Sequence, residues 1–99
     1  MRLEFEDEEL ELLAFEPEFR TKRWSRDVTR AYRRVINLIS SAPNEQDLRQ
    51  FKGLRLEKLK GKRAGTSSVR INDQYRLVLR FSADSDGRVA VVIEAVDYH

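Results

Sequence analysis

The stretch Ser67-Ser-Val-Arg-Ile-Asn-Asp-Gln-Tyr-Arg-Leu-Val-Leu-Arg-Phe81 decides the fold. Two apolar-rich runs, Ser67–Ile71 and Tyr75–Phe81, flank Asn72-Asp73-Gln74, whose residue types favour turns. Residues directly opposite in a hairpin point to the same face, so side-chain parity tests the loop length. With a two-residue loop, Val69 would share a face with Arg76. A three-residue loop pairs Ile71 with Tyr75, Arg70 with Arg76 and Val69 with Leu77, which gathers the apolar residues on one side. That register also sets two arginines side by side. Like charges directly opposite are unfavourable, by up to about 1 kcal/mol. Either an anion sits between them, phosphate matching the guanidinium fork best, or the two side chains diverge into water or towards Glu57 or Asp97.

Outward from the hairpin, further strands are expected at Leu54–Leu59 and Arg88–Tyr98, with turns at Lys60–Gly65 and Ala83–Gly87. Lys58, Lys60, Lys62 and Arg63 crowd the turn that leads into the hairpin and are candidate phosphate contacts. By strand parity Lys58 and Lys60 share a face opposite Glu57. Towards the N-terminus, Ser25 is a candidate cap for a helix through Ser41, before Pro43. Val28, Tyr32, Val35, Ile36 and Ile39 share one face of it. Arg26, Arg30, Arg33, Arg34 and Asn37 occupy the other, either as a solvated face or as a contact for phosphates or an acidic partner. Asp7 caps a shorter helix through about Phe15, with Leu10, Leu13 and Ala14 inward and Pro17 beyond its end. Residues 1–6 alternate like a half-buried strand, and one helical turn fits Glu45–Arg49. Helices followed by a run of strands give an α+β class, with two N-terminal helices on a mainly antiparallel sheet of four to five strands.

The 99 residues are enough for one domain and one core, because a chain this size buries only about two-thirds of its unfolded surface. There is no cysteine and one histidine, which argues against disulfides and zinc sites; no metal or other cofactor is expected. The start, MRLEFEDEELELL, is acidic where a signal peptide is basic, and no apolar run approaches membrane-spanning length, so a cytoplasmic protein is expected. Residues 1–19 hold one basic and eight acidic residues, whereas residues 20–99 hold eighteen and nine. Such a basic body suits an anionic partner, of which nucleic acid is the commonest, although an excess of cations also serves solubility alone. The sole histidine stands in Asp97-Tyr98-His99, an ending that reads either as a frayed terminus or as three functional groups brought together.

Residues 53–99 resemble the HigB branch of the RelE-type toxins. The resemblance rests on Leu59-Lys60-Gly61, Ser68-Val69-Arg70, Asn72-Asp73-Gln74-Tyr75-Arg76 and Asp97-Tyr98-His99; residues 1–52 match in helical layout and length. It implies a RelE-like fold and a toxin that enters the A site of the 70S ribosome, cleaves mRNA there without a metal, and is neutralised by a HigA-like helix-turn-helix antitoxin. By resemblance Asp97 and His99 are the acid and base, Tyr98 stacks on a base or orients the substrate, Arg70 and Arg76 hold the phosphate, and Lys58 and Lys60 assist or bind rRNA. One position departs from the pattern. Many relatives read Arg-Leu-His where this chain reads Arg55-Leu56-Glu57, and surrounding cations favour the ionised carboxylate, a poor base. Three consequences stand open: His99 carries more of the chemistry, cleavage is slow, or Glu57 is structural. ParE-like gyrase inhibition and non-catalytic binding to RNA or the ribosome are the competing functions.

Overall fold

The computed structural model describes residues 1–97. The chain opens with β1 (Arg2–Phe5), in which Leu3 and Phe5 are half-buried and Arg2 and Glu4 exposed. Asp7 then caps α1 (Glu8–Phe15), its carboxylate accepting from the Leu10 N–H at 3.0 Å. Ser25 caps α2 (Arg26–Ser41) by the same device, and Asn44 caps the short α3 (Glu45–Arg49). The apolar face of α2 is where the sequence pattern sets it: Tyr32, Val35, Ile36 and Ile39 are buried, and Val28 packs at the edge of the core.

The second half of the chain supplies β2 (Glu57–Lys58), β3 (Ser67–Arg70), β4 (Tyr75–Asp84) and β5 (Gly87–Asp97). These join β1 in a five-stranded sheet of order β1-β5-β4-β3-β2. Every pairing is antiparallel except β1 with β5, which is parallel from Arg2 opposite Val89 to Phe5 opposite Val92. The sheet is therefore α+β and mainly antiparallel, as the patterning predicts. Val69, Ile71, Leu77, Leu79, Ala90 and Val92 form one core with Leu10, Leu13, Tyr32 and Ile39 of the helices. By strand parity Ser68, Arg70, Arg76 and Val78 then belong to the opposite face. Among the described residues no helix is long and apolar enough to cross a membrane.

Three expectations need correction. The strand expected at Leu54–Leu59 is reduced to Glu57–Lys58, because a 3-10 turn at Lys52–Leu54 ends on Arg55 in the left-handed region at φ 47°. Leu54 is buried and Leu56 packs against the core, so their spacing records which side faces the core, not an extended backbone. The last hairpin extends beyond Phe81, with β4 running to Asp84 and Gly87 meeting the tight turn at φ 119°. Arg33 is not on a solvated ridge. Its Nε donates to the Leu13 carbonyl at 2.8 Å and its Nη2 to the Glu16 carbonyl at 3.2 Å. The first is a carbonyl left open at the C-terminal end of α1, and the second, at the cap residue, also accepts from the Phe19 N–H at 3.0 Å.

Tyr32 locks the same two helices from inside, its hydroxyl donating to the Leu10 carbonyl at 2.7 Å. Burial, with the Asp7 charge adding to it, pushes the phenol far above its ordinary value, so it remains a neutral donor. Tyr32→Phe leaves the Leu10 carbonyl without this donor and should lower unfolding free energy by about 1–2 kcal/mol, read from the midpoint of urea denaturation.

Candidate active site on the arginine face of the sheet

Asn72 builds the loop between β3 and β4. Its side-chain oxygen accepts from the Gln74 N–H at 2.9 Å and the Tyr75 N–H at 2.8 Å, while the Ile71 N–H donates to the Tyr75 carbonyl at 2.9 Å. The loop is three residues long, and the register follows: Val69 opposite Leu77 and Arg70 opposite Arg76. The pair of arginines inferred from parity is present.

The two guanidinium groups are held by different means. Arg76 is only 7% exposed. Its Nε donates to Ser68 Oγ at 2.9 Å and its Nη2 to the carbonyls of Ser68 and Arg55. Arg70 is half-buried and pairs with Asp73 of the loop. Dipoles of buried carbonyls fix Arg76 and a solvent-facing carboxylate offsets Arg70, and together they relieve the like-charge contact. Arg55, Arg70, Asn72, Asp73 and Arg76 line a cavity of about 130 Å³ between them, roughly the space of four water molecules.

Other predicted site residues divide among several places. Glu57 lies opposite Ser68 and so belongs to the arginine face, where it is exposed. Lys58 lies opposite Ser67 on the other face and lines a separate cavity with Glu45 and Phe81. The structure does not bring it to Arg70 and Arg76. The strand ends before Lys60, so the parity that joined it to Lys58 does not apply; Lys60 caps a 3-10 turn at Gly61–Arg63. Lys60 and Lys62 are exposed, while Arg63 is paired with Glu94 at 3.1 Å. Asp97 stands opposite Tyr75, and its carboxylate accepts from the Gln74 amide at 3.0 Å, which ties the end of β5 to the same loop. Tyr98 and His99 lie outside the described residues.

Two residues of the site escaped the sequence reading. Arg55 falls near the start of the expected strand Leu54–Leu59, and nothing local to it signals the left-handed turn that offers its carbonyl to Arg76. Ser68 was within reach of parity, because it stands two residues before Arg70 on the same face.

A family model described as RelE-like toxin of type II toxin-antitoxin system HigB matches residues 3–99. The chain belongs to the HigB-like toxins. It is 36% identical over 81 residues to Toxin HigB-1 of Vibrio cholerae serotype O1, a match that covers 82% of this chain and 84% of that one. Among solved structures, the YoeB/ParE toxin from Agrobacterium tumefaciens covers all of both chains at 22% identity with a TM-score of 0.60. The YoeB-YefM complex from Staphylococcus aureus matches at 21% identity with a TM-score of 0.55, covering 100% of this chain and 97% of that one. The HigB-like toxin thus shares its fold with these toxins.

The different anchoring of the two arginines gives them different stability signatures. Arg76→Ala removes the donors to buried carbonyls and should destabilise the protein by about 2–4 kcal/mol. Arg70→Ala breaks an exposed pair and should cost no more than about 0.5 kcal/mol. Chemical denaturation of both variants measures the difference.

Proposed function

We propose that this HigB-like toxin is a metal-independent endoribonuclease that cleaves mRNA in the A site of the 70S ribosome and so stops translation. The observation that carries the reading is the aligned pair Arg70 and Arg76 at one small cavity, on the exposed side of the sheet and within a HigB-like chain. Cleavage by the ribose 2′-oxygen needs a base for its proton, cations around the pentacoordinate phosphorane, and an acid for the departing 5′-oxygen. The 2′-oxygen attacks phosphorus, the bond to the 5′-oxygen breaks, and the products carry a 2′,3′-cyclic phosphate and a 5′-hydroxyl.

In this scheme Arg76, held by Ser68 and Arg55, contributes a charge that needs no reorganisation as the phosphorane forms. Arg70 exchanges Asp73 for a phosphate oxygen. His99 and Asp97 serve as acid and base, with histidine suited by its near-neutral titration, and Tyr98 stacks on or orients the substrate. Glu57, on the arginine face, balances the cations. Lys60 and Lys62, together with Lys58 on the other face and Arg63 once released from Glu94, contact RNA more widely. The family description names a type II toxin-antitoxin system, which supports neutralisation by an antitoxin, of the HigA-like helix-turn-helix kind, in the cytoplasm. Residues 1–97 share one sheet and one core, which supports a single toxin domain.

Induced expression followed by mapping of new mRNA 5′ ends tests the reading. Translation-dependent cuts should appear with the natural chain. They should fall about 10²–10⁴-fold in His99→Ala and about 10²–10³-fold in Arg70→Ala. Absence of cuts with the natural chain, together with inhibition of gyrase supercoiling, would replace this function with a ParE-like one. Ribosome binding without cuts would leave a non-catalytic binder.

A further inference from the structure

A second cationic site lies on the helical side of the sheet. The loop between α1 and α2 and the first turns of α2 enclose a cavity of about 340 Å³, whose wall includes Arg20, Arg26, Arg30, Arg33, Thr29 and Trp24. It shares no lining residue with the cavity at Arg70 and Arg76. No carboxylate lines it among the described residues.

Two of its four guanidinium groups donate to backbone carbonyls, which removes none of their charge. Arg33 is tied to the carbonyls of Leu13 and Glu16, and Arg20 donates to the Pro17 carbonyl at 3.1 Å. Arg30 has only Asp27 at 3.7 Å, a pair so exposed that water screens most of it. The Arg26 guanidinium has no hydrogen bond or ion pair to a described residue. One acid of α1 is engaged elsewhere: Glu9 pairs with Arg23 at 3.0 Å and accepts from the Thr21 hydroxyl. The positive end of the α2 dipole adds to the field.

Four guanidinium groups around one concavity, with Arg33 anchored in advance, match an anion with several oxygens and more than one charge. The volume exceeds what a single phosphate fills. The geometry points to a binding site for a phosphate-bearing ligand, either the backbone of single-stranded RNA or a nucleotide, separate from the candidate cleavage site. It does not depend on the nuclease function.

Trp24 is the sole tryptophan of the chain and forms part of the wall, so its fluorescence reports occupancy. Inorganic pyrophosphate, ATP and a short single-stranded RNA are titrated separately at low salt, with calorimetry in parallel in case the tryptophan is silent. Saturable binding is expected. Combined Arg26→Gln and Arg30→Gln, at exposed positions whose fold is checked by circular dichroism, should weaken it about ten-fold or more, and Arg49→Gln, exposed and outside both cavities, should leave it unchanged. Tighter binding of RNA than of pyrophosphate assigns the site to a backbone, and the reverse order assigns it to a nucleotide. The proposal is overturned if no probe binds saturably, if the double variant binds as well as the natural chain, or if an acidic peptide of matched charge competes as effectively as pyrophosphate.

Discussion

The side chain of Asn72 sets the length of one loop, and the arginine face depends on that length. By accepting from the backbone of Gln74 and Tyr75, it closes the chain after three residues. A loop one residue shorter or longer would turn every side chain of β4 to the other face of the sheet. Leu77 and Leu79 would leave the core, and Arg76 would be driven into it. The register that buries Leu77 and Leu79 is therefore the same register that aligns Arg70 with Arg76. Core and candidate site are two sides of one alignment.

The way charge is managed follows from that arrangement. Arginines in this protein are often secured by backbone carbonyls: Arg76 by Ser68 and Arg55, Arg33 by the end of α1, Arg20 by Pro17. A carbonyl satisfies the donors and offsets part of the burial cost, yet it removes no net charge. Many of the acids have other duties. Asp7 caps α1, Glu6 pairs with Arg80, and Asp84 pairs with Arg2, which also holds the Asp84 carboxyl below its ordinary range. The acidic N-terminal segment thus braces the helices and the β4–β5 end of the sheet, and the cationic field around the arginine face persists.

Such a field on fixed groups is suited to a substrate whose charge grows during reaction. Arg76 is rigid because its neighbours leave it few alternatives, while Arg70 is held by a single exposed carboxylate and is free to exchange it. One group supplies a standing charge and the other an exchangeable one. The cavity on the helical side repeats the pattern, with Arg33 anchored by the end of α1 and Arg26 and Arg30 at liberty.

Much of this was readable along the chain, for a common reason. The caps at Asp7 and Ser25, the buried stripe of α2, and the loop at Asn72 depend on interactions between residues a few positions apart, and parity then carries the loop into the register of Arg70 and Arg76. The family resemblance in residues 53–99 was legible for a similar reason, since its motifs are short and contiguous. What escaped depends on neighbours remote in sequence. The parallel pairing of β1 with β5 joins residues more than 80 positions apart. Arg33 reads as one of several arginines on a helix until the carbonyls of α1 stand over it. Arg55 turns left-handed in a run whose alternation suggests a strand, and its carbonyl meets Arg76 only after β3 and β4 have paired. Lys58 falls on the far face because its partner across the sheet is Ser67, whose own face is set by the pairing of β3 with β4. Local hydrogen bonds and periodicity are written in adjacent residues, whereas the partners of a buried carbonyl, a sheet edge or a long cationic side chain are settled only when distant segments meet.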